Sequence, residues 1–153
     1  MEKKKTVMKA VMRTRRAWDN HMKEIASLVG ISDSYRHVIM LLSRKPGASQ
    51  RVIAEFAQVT TSAVNQTVKS MILEGYVCKK TDDCDKRQSK LFLTEKGKET
   101  AEYINERSRL AVKAVSLGVM NEEQRAVVYS ALDIISRNLQ KVVEEGLPVE
   151  DEE

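Results

Sequence analysis

The strongest constraint on this chain is a change of hydrophobic period near its middle. Between Ser49 and Ile72 the apolar residues recur at helical spacing. Between Tyr76 and Thr94 they sit in two short runs separated by the turn-forming segment Thr81-Asp82-Asp83-Cys84-Asp85. A 3.6-residue period buries one face of a helix, whereas short runs bounded by turn residues suit strands. Within the helical part, Thr60 and Thr61 break the pattern. A hydroxyl at either position can accept from the free N–H groups of a new helix's first turn, so two short helices meet there. The order is helix, turn, helix, hairpin.

In the second of these helices Val64, Val68, Met71 and Ile72 mark one buried face, and Gly75 closes the helix. Thr61, Ser62, Asn65, Gln66 and Lys69 lie on the other side. Their hydroxyl, amide and ammonium groups suit the donor and acceptor pattern of base edges in a DNA major groove. The same face also fits a merely solvated surface, and the helix by itself does not choose. Ser49 caps the preceding helix and joins the candidate DNA-facing residues; Ile53, Phe56 and Ala57 of that helix are expected to face the core.

Around this pair stand Met71-x-x-x-Gly75-Tyr76-Val77, then Asp85-x-Arg87, Leu93-Thr94 and Gly97. The set resembles the signature of the multiple-antibiotic-resistance regulator (MarR) family, with Met71 where that family has leucine. The resemblance covers the central third by motif and the remainder by helix layout. It implies a mainly α fold with a small β-hairpin wing: a winged helix-turn-helix carried by long N- and C-terminal dimerisation helices. Read alone, Arg87 is either an exposed strand charge or an arginine for the minor groove. The resemblance implies the second, with Asp85 bracing it. Lys79 and Lys86, with Lys80 and Lys90, can neutralise phosphate without reading sequence.

The rest of the chain reads as helices framing this lobe. A first helix from about Thr6 to Val29 carries the stripe Val7, Val11, Thr14, Trp18, Met22, Ile25 and Val29, which needs a partner. Ser32 or Asp33 caps a second, with Tyr35, Val38, Ile39 and Leu42 inward, halted at Lys45-Pro46-Gly47. Thr94 caps a long helix reaching Gly118, with Ala101, Ile104, Leu110 and Ala114 as candidate core. Asn121 and Gln124 form a capping box opening a helix to Glu145 with a broad apolar face from Val127 to Val142. The expected division of this single domain is a lobe over 31–98, helical dimerisation segments over 1–30 and 100–146, and an acidic tail over 147–153. The family resemblance implies a homodimer through these ends. A monomer with its ends folded back on the core is the plain alternative.

Charge narrows the partners. The net charge is +4, but −6 falls in residues 144–153, which leaves +10 on the remainder. A body this basic favours a polyanion, and double-stranded DNA is the expected one. The basic N-terminus lacks a signal peptide's apolar core, and no run approaches a membrane span, so a cytoplasmic protein without membrane attachment is expected. Cys78 and Cys84 are then expected to be reduced; an oxidant-sensing pair of wing thiols is the alternative. No phosphate loop, zinc-ligand spacing or HExxH is present, so neither a catalytic residue nor a metal site is expected.

Two function classes stay open. One is a sequence-specific regulator, a ligand-responsive repressor on a pseudo-palindromic operator. The other is a protein-interaction module with a purely structural helix-turn-helix. The resemblance also implies a small aromatic or phenolic effector bound between the dimer helices and the lobe, with no other cofactor. Trp18, His21, Met22, Tyr35, Arg36 and His37 are the candidate ligand residues, and ordinary packing is the competing role for each.

Overall fold

A computed structural model describes residues 6–81 and 89–146. The wing residues Asp85, Lys86 and Arg87, together with Cys84 and the acidic tail 147–153, lie outside the described residues. The elements run α1 (Val7–Leu28), α2 (Asp33–Arg44), α3 (Gln50–Ala57), α4 (Thr61–Leu73), β1 (Val77–Thr81), β2 (Ser89–Leu93), α5 (Glu95–Val112) and α6 (Glu122–Glu145). The mainly helical fold with a two-stranded hairpin agrees with the sequence reading.

Side-chain caps set most of the helix starts. Ser32, rather than Asp33, caps α2 by accepting from the Tyr35 N–H at 3.3 Å. Ser49 accepts from the Val52 N–H at 3.4 Å, and Thr60, rather than Thr61, accepts from the Ala63 N–H at 3.2 Å. The turn between α3 and α4 passes through Gln58 in the left-handed region, φ +55°. A non-glycine residue there is strained by its Cβ.

The two strands pair antiparallel, from Val77 opposite Leu93 to Thr81 opposite Ser89. The outer edge of β2 is also occupied. The Gly47 N–H donates to the Leu91 carbonyl at 2.8 Å, and the Leu91 N–H donates to the Ala48 carbonyl at 3.3 Å. The α2–α3 connection therefore lies along β2 and satisfies backbone groups that an open edge would leave unpaired.

The chain divides into two compact units, Met1–Ser108 and Arg109–Glu153. In the first, Ile39, Leu42, Ile53, Val68, Met71, Leu91 and Ile104 are fully buried, and Met22, Ile25 and Ala26 of α1 join the same core. The C-terminal half of α1 and the first half of α5 thus pack with the helix-turn-helix. Two expected core residues face outward instead: Phe56 is 44% exposed and Ile72 38%. At 100° per residue the buried arc of α3 is fixed by Ile53 and Ala54, and Phe56 falls beyond its edge. Ile72 likewise falls at the margin of the arc set by Val64, Val68 and Met71.

In the second unit α5 runs into a π-helical turn, Lys113–Leu117, before Gly118. The capping box at Asn121 and Gln124 is formed in both directions, at 3.0 and 2.8 Å. No residue of α6 is buried, and Val128, Leu132 and Leu139 of its apolar face are exposed. Leu110 and Ala114, expected in the core, are exposed too, as are Val7 and Thr14 at the start of α1. Among the described residues no single helix is long and apolar enough to cross a membrane; α1 and α2 reach that measure only jointly, across a 92° bend.

Candidate nucleic-acid interface

Helix α4 is fixed from three sides. Val64, Val68 and Met71 lock its inner face into the core, Thr60 caps its start, and Gly75 with φ +78° ends it. Its other face is free. Thr61, Ser62, Asn65, Gln66 and Lys69 are all exposed, in the row the sequence predicts. A donor-rich polar row on a rigid helix is what direct readout of base edges requires.

The neighbouring residues refine this surface. Gln50, the first residue of α3, reaches toward Asn65, with its amide nitrogen 3.5 Å from the Asn65 carbonyl oxygen. Gln50 extends the polar row across the turn, and the sequence reading did not single it out. Ser49 is half-buried and its oxygen is committed to capping α3, which leaves only its hydroxyl proton for another partner. Lys79 is exposed on β1, and Lys80 stacks over the Phe92 ring at 5.3 Å. Cys78 is half-buried, opposite Phe92 in the hairpin register.

A polar cluster behind α4 was not anticipated either. The Tyr35 hydroxyl donates to the Glu74 carboxylate at 2.5 Å, and the Tyr35 and Tyr76 rings meet edge to face, 5.9 Å apart. Partial burial raises the Tyr35 phenol above its usual pKa, the Glu74 carboxylate adds to that, and the Ser70 hydroxyl opposes it. Lys96 of α5 donates to the Glu74 carbonyl at 2.9 Å with its ammonium 4.0 Å above the Tyr76 ring. Thr94 donates to the Gly75 carbonyl at 2.5 Å and caps α5 by accepting from the Gly97 N–H at 3.2 Å. Apart from the Thr94 cap, these links join residues 19 to 41 positions apart, so no local pattern could announce them.

The six candidate ligand residues are placed as follows. The Trp18 and His21 rings lie 6.3 Å apart on α1, with His21 exposed, while Met22 is in the core. Arg36 is buried and paired with Asp33 through Nη2 at 2.6 Å and Nε at 2.7 Å, and the same Nη2 lies 3.2 Å from His37 Nε2. Arginine can only donate, so Nε2 accepts and His37 Nδ1 donates to the Asp33 carbonyl at 2.9 Å. A cleft of about 270 Å³ between α2, α3 and α4 takes His37 in its lining but none of the other five. Among the described residues no cluster of His, Cys, Asp or Glu is arranged to hold a metal ion.

Comparison with known proteins agrees with this geometry. The model of the MarR family matches residues 29–88. The uncharacterised HTH-type transcriptional regulator YybA of Bacillus subtilis is 23% identical over 103 residues, covering 67% of this chain and 68% of that protein. The HTH-type transcriptional regulator BilQ of Clostridium symbiosum is 30% identical over 73 residues, 48% of this chain and 51% of its own. Among solved structures, a MarR transcriptional regulator from Methanosarcina mazei superposes with a TM-score of 0.71 at 22% identity, over 89% of this chain and 97% of its own. Streptococcus pneumoniae FabT, solved in complex with DNA, superposes with a TM-score of 0.75 at 20% identity, over 90% and 99%. At those identities the structures carry the fold alone, and the family match spans the helix-turn-helix segment rather than the whole chain. Over residues 29–88 this chain matches the MarR family, and its fold is the winged helix-turn-helix seen in solved MarR regulators.

Proposed function

We propose that this protein is a homodimeric, ligand-responsive repressor that reads a pseudo-palindromic operator with α4 and the wing. The observation that carries the DNA-reading part is the exposed row Ser62, Asn65, Gln66 and Lys69 on a helix immobilised by its inner face. FabT, a protein of the same fold crystallised with DNA, supports DNA as the partner. Dimerisation is supported by the apolar face of α6, exposed at Val128, Leu132 and Leu139, which water does not favour. A closed two-fold pair would bury the same patch twice and present two α4 helices to half-sites about one DNA turn apart. The effector would be a small aromatic or phenolic molecule near Trp18 and His21, because Tyr35, Arg36 and His37 already have partners within the lobe.

The test is selection of bound duplexes from a random pool, followed by the same selection with Gln66→Ala. The parent should enrich one two-fold motif at a salt level that abolishes non-specific binding. Gln66→Ala should relax preference at one position per half-site, at a cost of about 1–3 kcal/mol. No enriched motif from the parent would refute the reading, and light scattering that returns a monomer at micromolar concentration would remove its dimeric part.

A further inference from the structure

We infer that Glu74 is a positioning residue for DNA reading, held from α2 by the Tyr35 hydroxyl and from α5 by Lys96, so that the pair sets the angle of α4 on its lobe. The inference rests on the proposed DNA-reading role of α4 and concerns residues that do not belong to the reading row.

An acidic residue at a helix C-terminus is electrostatically misplaced, because the unpaired carbonyls there already carry partial negative charge. Glu74 occupies that position on α4 and is exposed. Two neighbours compensate for it. The Lys96 ammonium takes the Glu74 carbonyl at 2.9 Å, and the Tyr35 hydroxyl takes its carboxylate at 2.5 Å. Both contact the same ring: Lys96 lies 4.0 Å above Tyr76, and the Tyr35 ring meets it edge to face at 5.9 Å. The core grips α4 through Val64, Val68 and Met71, which fixes its depth. One narrow apolar arc resists tilt about that arc poorly. The bonds at Glu74 act at the far end of the helix, where the lever arm is longest. About 12 Å separates Glu74 from Gln66 along the axis at 1.5 Å per residue, so a small swing at Glu74 displaces the side chains that meet bases.

The consequence is a division between two kinds of affinity. Non-specific binding depends on charge close to phosphate and tolerates a tilted helix. Specific binding needs each amide within hydrogen-bond range of one base edge. Loosening Glu74 should therefore lower the ratio of specific to non-specific affinity while leaving non-specific affinity and its salt slope in place.

The probes are a duplex selected by the parent chain and a scrambled duplex of equal length. Tyr35→Phe keeps the ring on Tyr76 and removes only the hydroxyl; it should lower the specificity ratio about three- to tenfold, the worth of one hydrogen bond. Glu74→Gln keeps an acceptor for Tyr35 and should stay within about twofold of the parent. Glu74→Ala should match Tyr35→Phe, and the double variant should be no worse than either alone, because both remove one interaction. Independent, multiplying losses in the double variant would overturn the inference, as would equal falls of specific and non-specific affinity in Tyr35→Phe. So would a Tyr35→Phe ratio equal to the parent's. A parent that selects no duplex refutes the DNA-reading proposal itself, a distinct failure.

Discussion

Replacing Gly97 by alanine should destabilise the lobe, although alanine is the better helix former. A Cβ built at Gly97 would lie 2.2 Å from the Tyr76 carbonyl oxygen and 3.2 Å from both Cβ and Cδ2 of Leu93. An ordinary contact needs about 3.4 Å, so α5 and the root of β1 would have to part by about 1.2 Å. The obstacle is backbone and cannot rotate away. That carbonyl also accepts from the Thr94 N–H at 3.1 Å, and Thr94 in turn caps α5 through the Gly97 N–H. Separation would therefore strain a backbone bond and a cap together. Overpacking costs about 1–3 kcal/mol and a lost cap about 1 kcal/mol, against a helix-propensity gain of at most about 1 kcal/mol. The net expectation is a loss of about 1–3 kcal/mol, read as a lower urea midpoint at unchanged slope. Gly97→Ser should fall at least as far, since any Cβ meets the same oxygen. A Gly97→Ala midpoint equal to or above the parent's would refute the steric argument, because propensity alone would then have decided.

Other changes test other parts of the framework. Gln58→Gly should stabilise the lobe by about 0.5–1 kcal/mol, because the left-handed φ of +55° suits glycine, and thermal melting should show a higher Tm. Thr60→Ala removes the cap of α4 and should cost about 1 kcal/mol, with Thr60→Ser restoring most of it in the same melt. Asp33→Ala strands the buried Arg36 guanidinium. The carboxylate is about a third exposed, so the loss should be about 1–3 kcal/mol rather than that of a fully buried pair, measured by urea unfolding. The Tyr35 phenol is raised in the folded chain, so its contribution should be complete below the unfolded value of about 10 and vanish as pH climbs through the folded one. The stability advantage of the parent over Tyr35→Phe should accordingly be flat from pH 7 to 9 and shrink above 10.

The sequence disclosed most where structure is made by neighbours in the chain. The caps at Ser32, Ser49, Thr60 and Thr94, the stop at Gly75 and the capping box at Asn121 all act across three or four residues, and all are formed. The outward row on α4 was legible for the same reason, since Val64, Val68 and Met71 fix one face and geometry assigns the other. Periodicity failed where the buried arc was narrower than the apolar one. Phe56 and Ile72 are apolar and roughly in phase, yet each falls at the margin of what its neighbours cover. A sequence records which residues prefer to leave water, and the packed neighbours decide how many can.

Long-range contacts mark the other limit, and Tyr35 shows it best. With the family resemblance in view, an aromatic side chain on the second helix, beside Arg36 and His37, suggests the wall of a ligand pocket. Its hydroxyl is instead committed to a carboxylate 39 residues away, and Arg36 and His37 are tied to Asp33 within their own helix. Each of these groups is polar and at least partly buried, so composition cannot separate a ligand contact from an internal one; only the partner does. The same holds for Gly97. Its motif position with Leu93 and Thr94 was visible, but the reason for glycine is a carbonyl contributed by Tyr76, 21 residues earlier. Both cases place the unforeseen chemistry at one junction, where the end of α4, the root of the hairpin and the start of α5 converge. Lys96, Thr94 and Gly97 tie the start of α5 to the end of α4, because these residues hold Glu74, Gly75 and Tyr76. Substitution here would therefore change the setting of α4 without touching either its exposed polar row or the apolar face of α6.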